Sequence, residues 1–304
     1  MSAEACREGG NRAEHGRAMW TTRNFARNYR VKSVEAEAEQ TYLPRAMDPR
    51  PILLVTQYDG GRFSGWQRQP DARTVQGEME AVLNRLCNGP HPAVGAGRTD
   101  AGVHAHGQGV GVRVSERWTA PTLRKAMNAL LPDDIWVASS HRMIPEFHPR
   151  RSATKRRYRY LVGTDETVRS PFRRRYEWPL GRSLDADTLR SEAAELIGEH
   201  TFRAFAVAHT APIDDHHRCV IHHASWMERD GGWLFEVTAN RFLHHMVRFL
   251  VGTMVEVAQG RRPRGTIARL LDAPDNTETS APAPAQGLSL CEVSYPAALY
   301  SDEP

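Results

Sequence analysis

The sequence predicts an α+β protein with two units, each built on a mainly antiparallel sheet. Short apolar runs alternate with amphipathic segments, and Asp-Gly pairs at 59–60 and 230–231 mark turns between them. A chain of 304 residues is also long enough for two hydrophobic cores. We expect the chain to divide into a disordered N-terminal extension over 1–48, an N-terminal half over 49–162 and a C-terminal half over 163–304. The extension is either a disordered tail or a stretch upstream of a natural start at Met47; Glu35, Glu37 and Glu39 disfavour a transit peptide.

The N-terminal half is expected to begin with a strand, which the apolar run "PILLVTQYDG" from Pro51 predicts. Thr74 is a suitable N-cap for a helix whose apolar face holds Val75, Met79, Val82, Leu83 and Leu86. Asn88-Gly89-Pro90 ends that helix. A strand at "VGVRV", a helix over 121–131 ended by Pro132, and strands at "IWVASSHRM" and "RRYRYLVG" complete this half.

The C-terminal half repeats this mixture of helices and strands. A helix is predicted over 185–197, followed by strands at "RCVIHHASWMER" and "WLFEVTAN" that a glycine turn joins. A long helix over 241–258 and a short one over 264–272 come next, then a Pro/Ala/Thr-rich loop over 273–286. The run "LSLCEVSY" predicts a closing strand.

Positive charge is clustered rather than abundant. The chain has 40 Lys and Arg against 36 Asp and Glu, a net charge of +4. The clusters lie at 150–151, 155–159, 173–175 and 261–262, and aromatic residues interleave with several of them. A solvated surface explains any one cluster, whereas several together favour a nucleic-acid surface.

Cysteine usage and hydropathy indicate a soluble protein of a reducing compartment, and we expect it in the cytoplasm. The four cysteines form no C-x-x-C pair, which disfavours a disulfide framework or a cysteine-based zinc site. No apolar run approaches the length of a membrane span, and the N-terminus lacks the apolar core of a secretory signal.

The most unusual motif is "GAGRTDAGVHAHGQG", residues 95–109, which places Asp100 among small residues. It is not a nucleotide loop, because Asp100 occupies the third glycine of a dinucleotide fingerprint and Val103 stands where a P-loop has lysine. Two interpretations remain. Asp100 either forms a turn or is a reactive carboxylate that the small residues leave accessible to a substrate.

Two further stretches have both structural and chemical interpretations. The segment "DDHHRCVIHH", 214–223, has metal-binding residue types, although strand alternation would send its side chains to opposite faces. The predicted helix over 241–258 is apolar nearly all round yet contains Arg248. That cation either reaches the surface or pairs with an anion, which would be Asp100 or a substrate phosphate.

In "KRRYRYLV", alternation places Tyr158 and Tyr160 on one face of a strand and Arg157 and Arg159 on the other. The two tyrosines are either core residues or, beside an acid, groups that stack on a base or transfer a proton.

These motifs together resemble the tRNA pseudouridine synthase A family. The matching stretches occur in the family's order over about 52–295; they include "FSGWQRQP", "GAGRTDAGVHAHGQ", "FHPRRSATKRRYRY", "GEHTFRAF" and "RFLHHMVRFLVGTMVEVAQG". The resemblance implies two ferredoxin-like (RRM-like) halves that form one continuous, mostly antiparallel sheet flanked by helices, with a central basic cleft. It also implies a homodimer that binds tRNA, modification of uridines at positions 38–40 of the anticodon arm, and no cofactor, metal, DNA or membrane.

The resemblance also implies roles for individual residues. Asp100 is the expected catalytic aspartate, Arg248 its partner and Tyr158 the active-site tyrosine. Substrate binding is expected from Arg98, which the family ties to base flipping, and from Thr99, Tyr158, Arg156 and Arg157. The sequence departs from the family pattern at four positions. Phe249 stands where asparagine is common, Gly109 and Gly111 replace apolar strand residues, and Gln286 stands where histidine or another residue is frequent. The rival functions are an RNA-binding module without catalysis and a nucleotide-dependent hydrolase, the latter disfavoured by the failed phosphate motifs.

Overall fold

One ten-stranded sheet organises the computed structural model, which describes residues 49–207, 210 and 217–301. The predicted N-terminal extension, 1–48, lies outside the described residues. The strands are β1 Arg50–Tyr58, β2 Val94–Gly95, β3 His104–Val114, β4 Ile135–Arg142, β5 Lys155–Gly163, β6 Trp178–Pro179, β7 Gly198–Thr201, β8 Arg218–Arg229, β9 Gly232–Ala239 and β10 Leu288–Ser294. The α-helices are α1 Val75–Cys87, α2 Ala120–Asn128, α3 Ala186–Ala194, α4 Met246–Ala258 and α5 Thr266–Leu271.

The sheet is continuous and mostly antiparallel, which confirms the predicted fold class. Its strand order is β4-β1-β3-β10-β5-β9-β8-β7, with β2 added to β3 and β6 to β5. The pairs β3–β10 and β5–β6 are parallel, and the other pairs are antiparallel.

The same topology occurs twice along the chain. Elements β1-α1-β2-β3-α2-β4 give the spatial order β4-β1-β3-β2, and β5-α3-β8-β9-α4-β10 give β10-β5-β9-β8. Both are the β-α-β-β-α-β arrangement of a ferredoxin-like unit. The units join where β10 pairs with β3, at Ser289↔His104 and Leu290↔Ala105. The division into 49–162 and 163–304 stays a prediction, and it falls at the end of β5.

The main core lies between one face of the sheet and the helices. On β1, Ile52 and Leu54 face this core, whereas Leu53 faces a small second cluster with Met143 and Phe147 on the opposite side. The helices contribute fully buried apolar side chains to the main core, among them Met79, Leu83, Leu123, Met127, Leu189, Leu250 and Met254. This alternation follows from the two-residue period of a strand. No helix in the described part of the chain is long and apolar enough to cross a membrane.

Helix α1 matches its prediction, whereas α4 begins later than expected. The Thr74 side chain accepts a hydrogen bond from the Gly77 amide, and Asn88 ends α1 in the left-handed conformation. The prediction that a helix spans 241–258 was wrong at its start, because His245 has φ 62° and α4 begins only at Met246. Helices α2 and α3 each end three residues before their predicted ends.

Strand β3 is longer than the predicted "VGVRV", because Ala105, Gln108 and Gly109 also pair with β1. Two glycines of the strand lie against neighbouring side chains. A Cβ on Gly109 would lie 2.3 Å from the Tyr295 hydroxyl oxygen, and one on Gly111 would lie 2.7 Å from Pro149. Neighbouring side chains therefore occupy the space that apolar side chains would need at these two positions.

Candidate active site

The loop between β2 and β3 carries Asp100 and is fixed by a second segment of the same unit. The Trp66 amide donates to the Thr99 carbonyl at 3.0 Å, and the Gly102 amide donates to the Phe63 carbonyl at 3.4 Å. Gly65 lies against this loop with φ 96°, and a Cβ there would lie 2.8 Å from the Thr99 carbonyl oxygen. Close backbone contact therefore sets the position of the Asp100 carboxylate.

Arg248 of α4 pairs with Asp100. Its Nη1 lies 3.0 Å from Asp100 Oδ2, and its Nε donates to the Ala283 carbonyl at 2.7 Å. The two side chains are 14% and 17% exposed, so the guanidinium stays inside the protein rather than reaching the surface. Sequence analysis left open whether Arg248 reaches the surface or pairs with an anion. The structure shows that it pairs with Asp100.

Two histidines that sequence analysis missed also contact Asp100. His245 Nε2 lies 3.3 Å from Asp100 Oδ2, and His244 Nε2 lies 3.5 Å from Oδ1. The imidazole rings are 4.1 Å apart between centroids. Burial lowers the pKa of His245; the Asp100 charge opposes this, and His244 and Arg248 add to it. No local pattern identified them, because both residues lie before the first residue of α4, where helical spacing to Arg248 does not apply.

Asp100 opens into a cavity of about 1130 Å³ whose lining is strongly cationic. Asp100 is the one carboxylate among the described residues that line it, and residues of both ferredoxin-like units contribute. The lining arginines are Arg98, Arg150, Arg151, Arg156 and Arg241. Guanidinium groups bind phosphate, so this cavity suits a ligand that carries phosphate groups. Such a ligand would bring its reactive group to the Asp100 carboxylate.

Tyr158 of β5 lies against the same cavity. Its side chain is buried and packs edge-on against Phe242, with ring centroids 5.0 Å apart. Burial raises the pKa of Tyr158 above its ordinary range, and the nearby Tyr58 and Asp100 act in the same direction. The phenol is therefore neutral. Tyr160 is a core residue whose hydroxyl donates to the Pro284 carbonyl at 2.7 Å.

Arg98 and Thr99 occupy different environments although they are adjacent. Arg98 is exposed at the cavity, and its Nε donates to Gln67 Oε1 at 3.1 Å. Thr99 is buried, and its hydroxyl lies 2.8 Å from that of Tyr58. Arg98 is thus placed to contact a ligand, whereas the Thr99 hydroxyl is held by a neighbouring side chain.

Arg156 and Arg157 lie on opposite faces of β5. Arg156 reaches the cavity and donates to the carbonyl oxygens of Ala153, Asn240, Ala96 and Arg150. Arg157 is bound between Glu236 and Glu292 on the other face. The structure therefore brings Asp100, Arg248, Tyr158, Arg98, Thr99 and Arg156 to one site and leaves Arg157 outside it.

The described residues that could hold a metal are Asp100, His244 and His245, whose ligand atoms lie within 4.8 Å of one another. Arg248 already occupies Oδ2 of this carboxylate. The predicted metal segment 214–223 lies partly outside the described residues; within the described part, Cys219 is buried in β8 and His222 and His223 are exposed.

Sequence comparison with known proteins matches most of the chain to one family of RNA-modifying enzymes. The profile of the family described as tRNA pseudouridine synthase matches residues 54–147 and 193–296. The tRNA pseudouridine synthase A of Geobacter sp. (strain M21) is 38% identical over 249 residues, which cover 81% of this chain and 99% of that protein. The protein of the same name from Moorella thermoacetica is 39% identical over 248 residues, covering 81% of this chain and 100% of that protein.

Among solved structures, the archaeal box H/ACA sRNP Nop10-Cbf5 complex matches with a TM-score of 0.33 and 13% identity, over 81% of this chain and 46% of that chain. The family assignment rests on the sequence matches, which span most of the chain and nearly all of each relative. The chain belongs to the tRNA pseudouridine synthase family.

Proposed function

We propose that the chain converts uridine to pseudouridine in tRNA, at positions 38–40 of the anticodon arm. Its family membership supports the reaction. The observation that carries the proposal is Asp100, the one carboxylate among the described lining residues of an arginine-lined cavity, paired with Arg248. A phosphate-rich substrate and a single carboxylate to act on it are what this reaction needs.

The chemistry balances without an oxidant, a reductant or a high-energy phosphate. The bond between N1 of uracil and C1′ of ribose breaks, a bond between C5 and C1′ forms, C5 loses a proton and N1 gains one. Asp100 attacks C1′, attacks C6 or abstracts a proton. Arg248 orients the carboxylate and balances its charge where little water reaches it. Because the reaction is a redox-neutral isomerisation, we propose that it uses no cofactor or metal.

The target uridine has to leave the base stack to reach Asp100, which a paired RNA stem would otherwise prevent. We expect Arg98, which is exposed at the cavity, to occupy the vacated position or to hold the displaced phosphate. Tyr158 borders the cavity, so we expect the extruded base to pack beside its ring. Arg150, Arg151, Arg156 and Arg241 surround the site with positive charge.

A homodimer in the cytoplasm, with tRNA bound across both subunits, completes the proposal. The sedimentation coefficient of the purified chain tests the dimer, since a monomer at micromolar concentration contradicts it.

Competition with a DNA copy of the anticodon arm tests the preference for RNA. A DNA copy that competes as well as tRNA argues against a site that reads the 2′-hydroxyl and A-form shape.

The function is tested with tRNA transcripts that carry tritium at C5 of uridine, because pseudouridine formation releases that tritium into water. Three transcripts each keep uridine at only one of positions 38, 39 and 40, and a fourth keeps none. We expect release from the first three and none from the fourth, with carbodiimide mapping at the retained position. Tight binding without any release identifies an RNA-binding module instead.

A further inference from the structure

The two carboxylate oxygens of Asp100 have unequal surroundings. Oδ2 accepts a hydrogen bond from Arg248 Nη1 at 3.0 Å, and His245 Nε2 lies 3.3 Å from the same oxygen. Oδ1 has His244 Nε2 at 3.5 Å, and the His244 side chain is 46% exposed against 26% for His245. Oδ2 thus lies against the Arg248 guanidinium and the less exposed imidazole, whereas Oδ1 faces the more exposed imidazole.

The backbone at His245 is in an uncommon conformation. Its φ of 62° and ψ of 2° are left-handed, which costs a non-glycine residue about 1 kcal/mol. His245 stands at the N-cap position of α4, yet its side chain makes no capping hydrogen bond. Helix formation therefore does not explain this conformation. Its consequence is that the imidazole lies beside Asp100 instead of following the helix.

The surroundings of His245 lower the pKa of its ring and so favour the neutral form, mainly through burial. The charged and titratable groups facing it are Asp100 from the β2–β3 loop and His244 and Arg248 from its own segment. Phe249 covers the ring, with centroids 6.1 Å apart. A neutral imidazole carries one N–H. With that proton on Nε2, the contact to Oδ2 can shorten into a hydrogen bond when a substrate binds.

We propose that His245 is a positioning residue that, together with Arg248, holds Oδ2 of Asp100 and presents Oδ1 to the uridine. The proposal rests on the proposed function. It identifies which oxygen of Asp100 acts on the substrate and assigns His244 to the position that the uridine takes over. His245 acts through Asp100, so its loss slows the reaction step more than it weakens tRNA binding.

Two variants at this position separate the hydrogen bond from packing. His245→Gln keeps an N–H donor near the position of Nε2, whereas His245→Phe keeps an aromatic ring without a donor. We expect the Phe variant to lower kcat at least about tenfold with KM within about twofold, as for a lost hydrogen bond to a charged group. The Gln variant should recover most of that loss. His222→Gln, exposed on β8, is the matched control.

The result is judged only on variants with an unchanged thermal melt and tRNA affinity. A Phe variant at the wild-type kcat overturns the proposal, and so does an equal loss in the Gln and Phe variants, since a purely structural role predicts that. If the Phe variant unfolds, the comparison of Gln with wild type decides: a Gln variant more than about tenfold slower overturns it.

A second measurement does not depend on activity. The charge of Asp100 raises the pKa of His245, so Asp100→Asn should move the NMR titration of the His245 ring to lower pH, with the resonance assigned from the Gln variant. An unchanged titration shows that the contact is absent and overturns the inference. If Asp100→Asn shifts the His245 titration but the wild-type protein releases no tritium, the proposed function is contradicted and the contact between His245 and Asp100 is still supported.

Discussion

Asp100 and Arg248 lie 148 positions apart in the chain, yet the properties of each require the other. A cation in an apolar helix needs an anion, and a carboxylate surrounded by small residues can be reached by one. The sequence could therefore predict both residues and offer their pairing as one alternative. It could not predict that His244 and His245 join them, because residues 241–245 have the apolar pattern of the helix that follows but a different backbone conformation.

Replacing Arg248 by lysine tests the pair at the scale of one residue. The guanidinium donates at once to Ala283 and Asp100, and a lysine ammonium on a single stem cannot match that fork. We expect Arg248→Lys to lower kcat at least about tenfold and the free energy of unfolding by ~1–3 kcal/mol. Tritium release and urea unfolding measure the two effects.

Arg190→Lys is the control for this substitution, because Arg190 is exposed on α3, where it lies 3.6 Å from Asp187 and 5.9 Å from the centroid of the Trp233 ring, and lysine keeps the charge that both contacts need. It should change neither quantity. An Arg248→Lys variant with wild-type rate and stability would show that a positive charge beside Asp100 is sufficient and that the two hydrogen bonds of the guanidinium are not needed.

At the scale of elements, the Asp100 loop depends on the segment that contains Gly65. Local patterns indicated that small residues were needed within the Asp100 loop itself. They did not show that a second loop packs against it, because such a contact depends on tertiary structure. The resemblance named "FSGWQRQP" as a motif, and the structure gives the physical reason: Gly65 lets the two backbones touch.

Gly65→Ala should disrupt this contact. Its φ of 96° disfavours any side chain, and the added Cβ would lie 2.8 Å from the Thr99 carbonyl oxygen. We expect the free energy of unfolding to fall by ~1–3 kcal/mol and kcat to fall because Asp100 moves. Gly97→Ala is the stability control, since a Cβ there meets nothing within 4 Å. Equal urea midpoints for the two variants would contradict this account of the loop.

At the scale of the whole molecule, periodicity predicted most elements but not their order in the sheet. The strand that joins the two units, β10, comes last in the sequence and pairs with β3 in parallel. Pairing between segments so far apart depends on the complete fold, so no local pattern encodes it. The resemblance predicted the continuous sheet, and the structure confirms it. The short strands β2, β6 and β7 were missed because each has only two to four residues.

The stability of the whole protein should depend on pH through histidines that are buried or partly buried. Burial is the main cause that lowers the pKa of His104, His148 and His245 below 6.5. The unfolded chain then binds more protons than the folded protein once the pH falls below 6.5, so stability present above 6.5 is lost as the pH falls towards the lowered values.

Urea midpoints should therefore be lower at about pH 5.5 than at about pH 7.5. His104→Gln, which removes the most buried of these rings, should reduce the difference. His222→Gln, an exposed ring on β8, should leave the difference unchanged. Identical wild-type midpoints at the two pH values would contradict the prediction.

Deleting residues 1–46 should leave activity unchanged. The family match begins at residue 54, and the described lining of the cavity begins at Ser64. Tritium release by the shortened chain, compared with the full chain at equal concentration, measures the effect. A large rise in KM for the shortened chain would show that this segment contributes to RNA binding.

Whether Asp100 performs the chemistry is tested by comparing Asp100→Asn with Asp187→Asn. Asp187 is a carboxylate on α3 that is 87% exposed. Single-turnover tritium release and filter binding of tRNA are measured on both variants. We expect Asp187→Asn to behave as the wild type, and Asp100→Asn to release no tritium while its tRNA affinity stays within about threefold of the wild type. Release at a near wild-type rate by Asp100→Asn would contradict the catalytic role of Asp100.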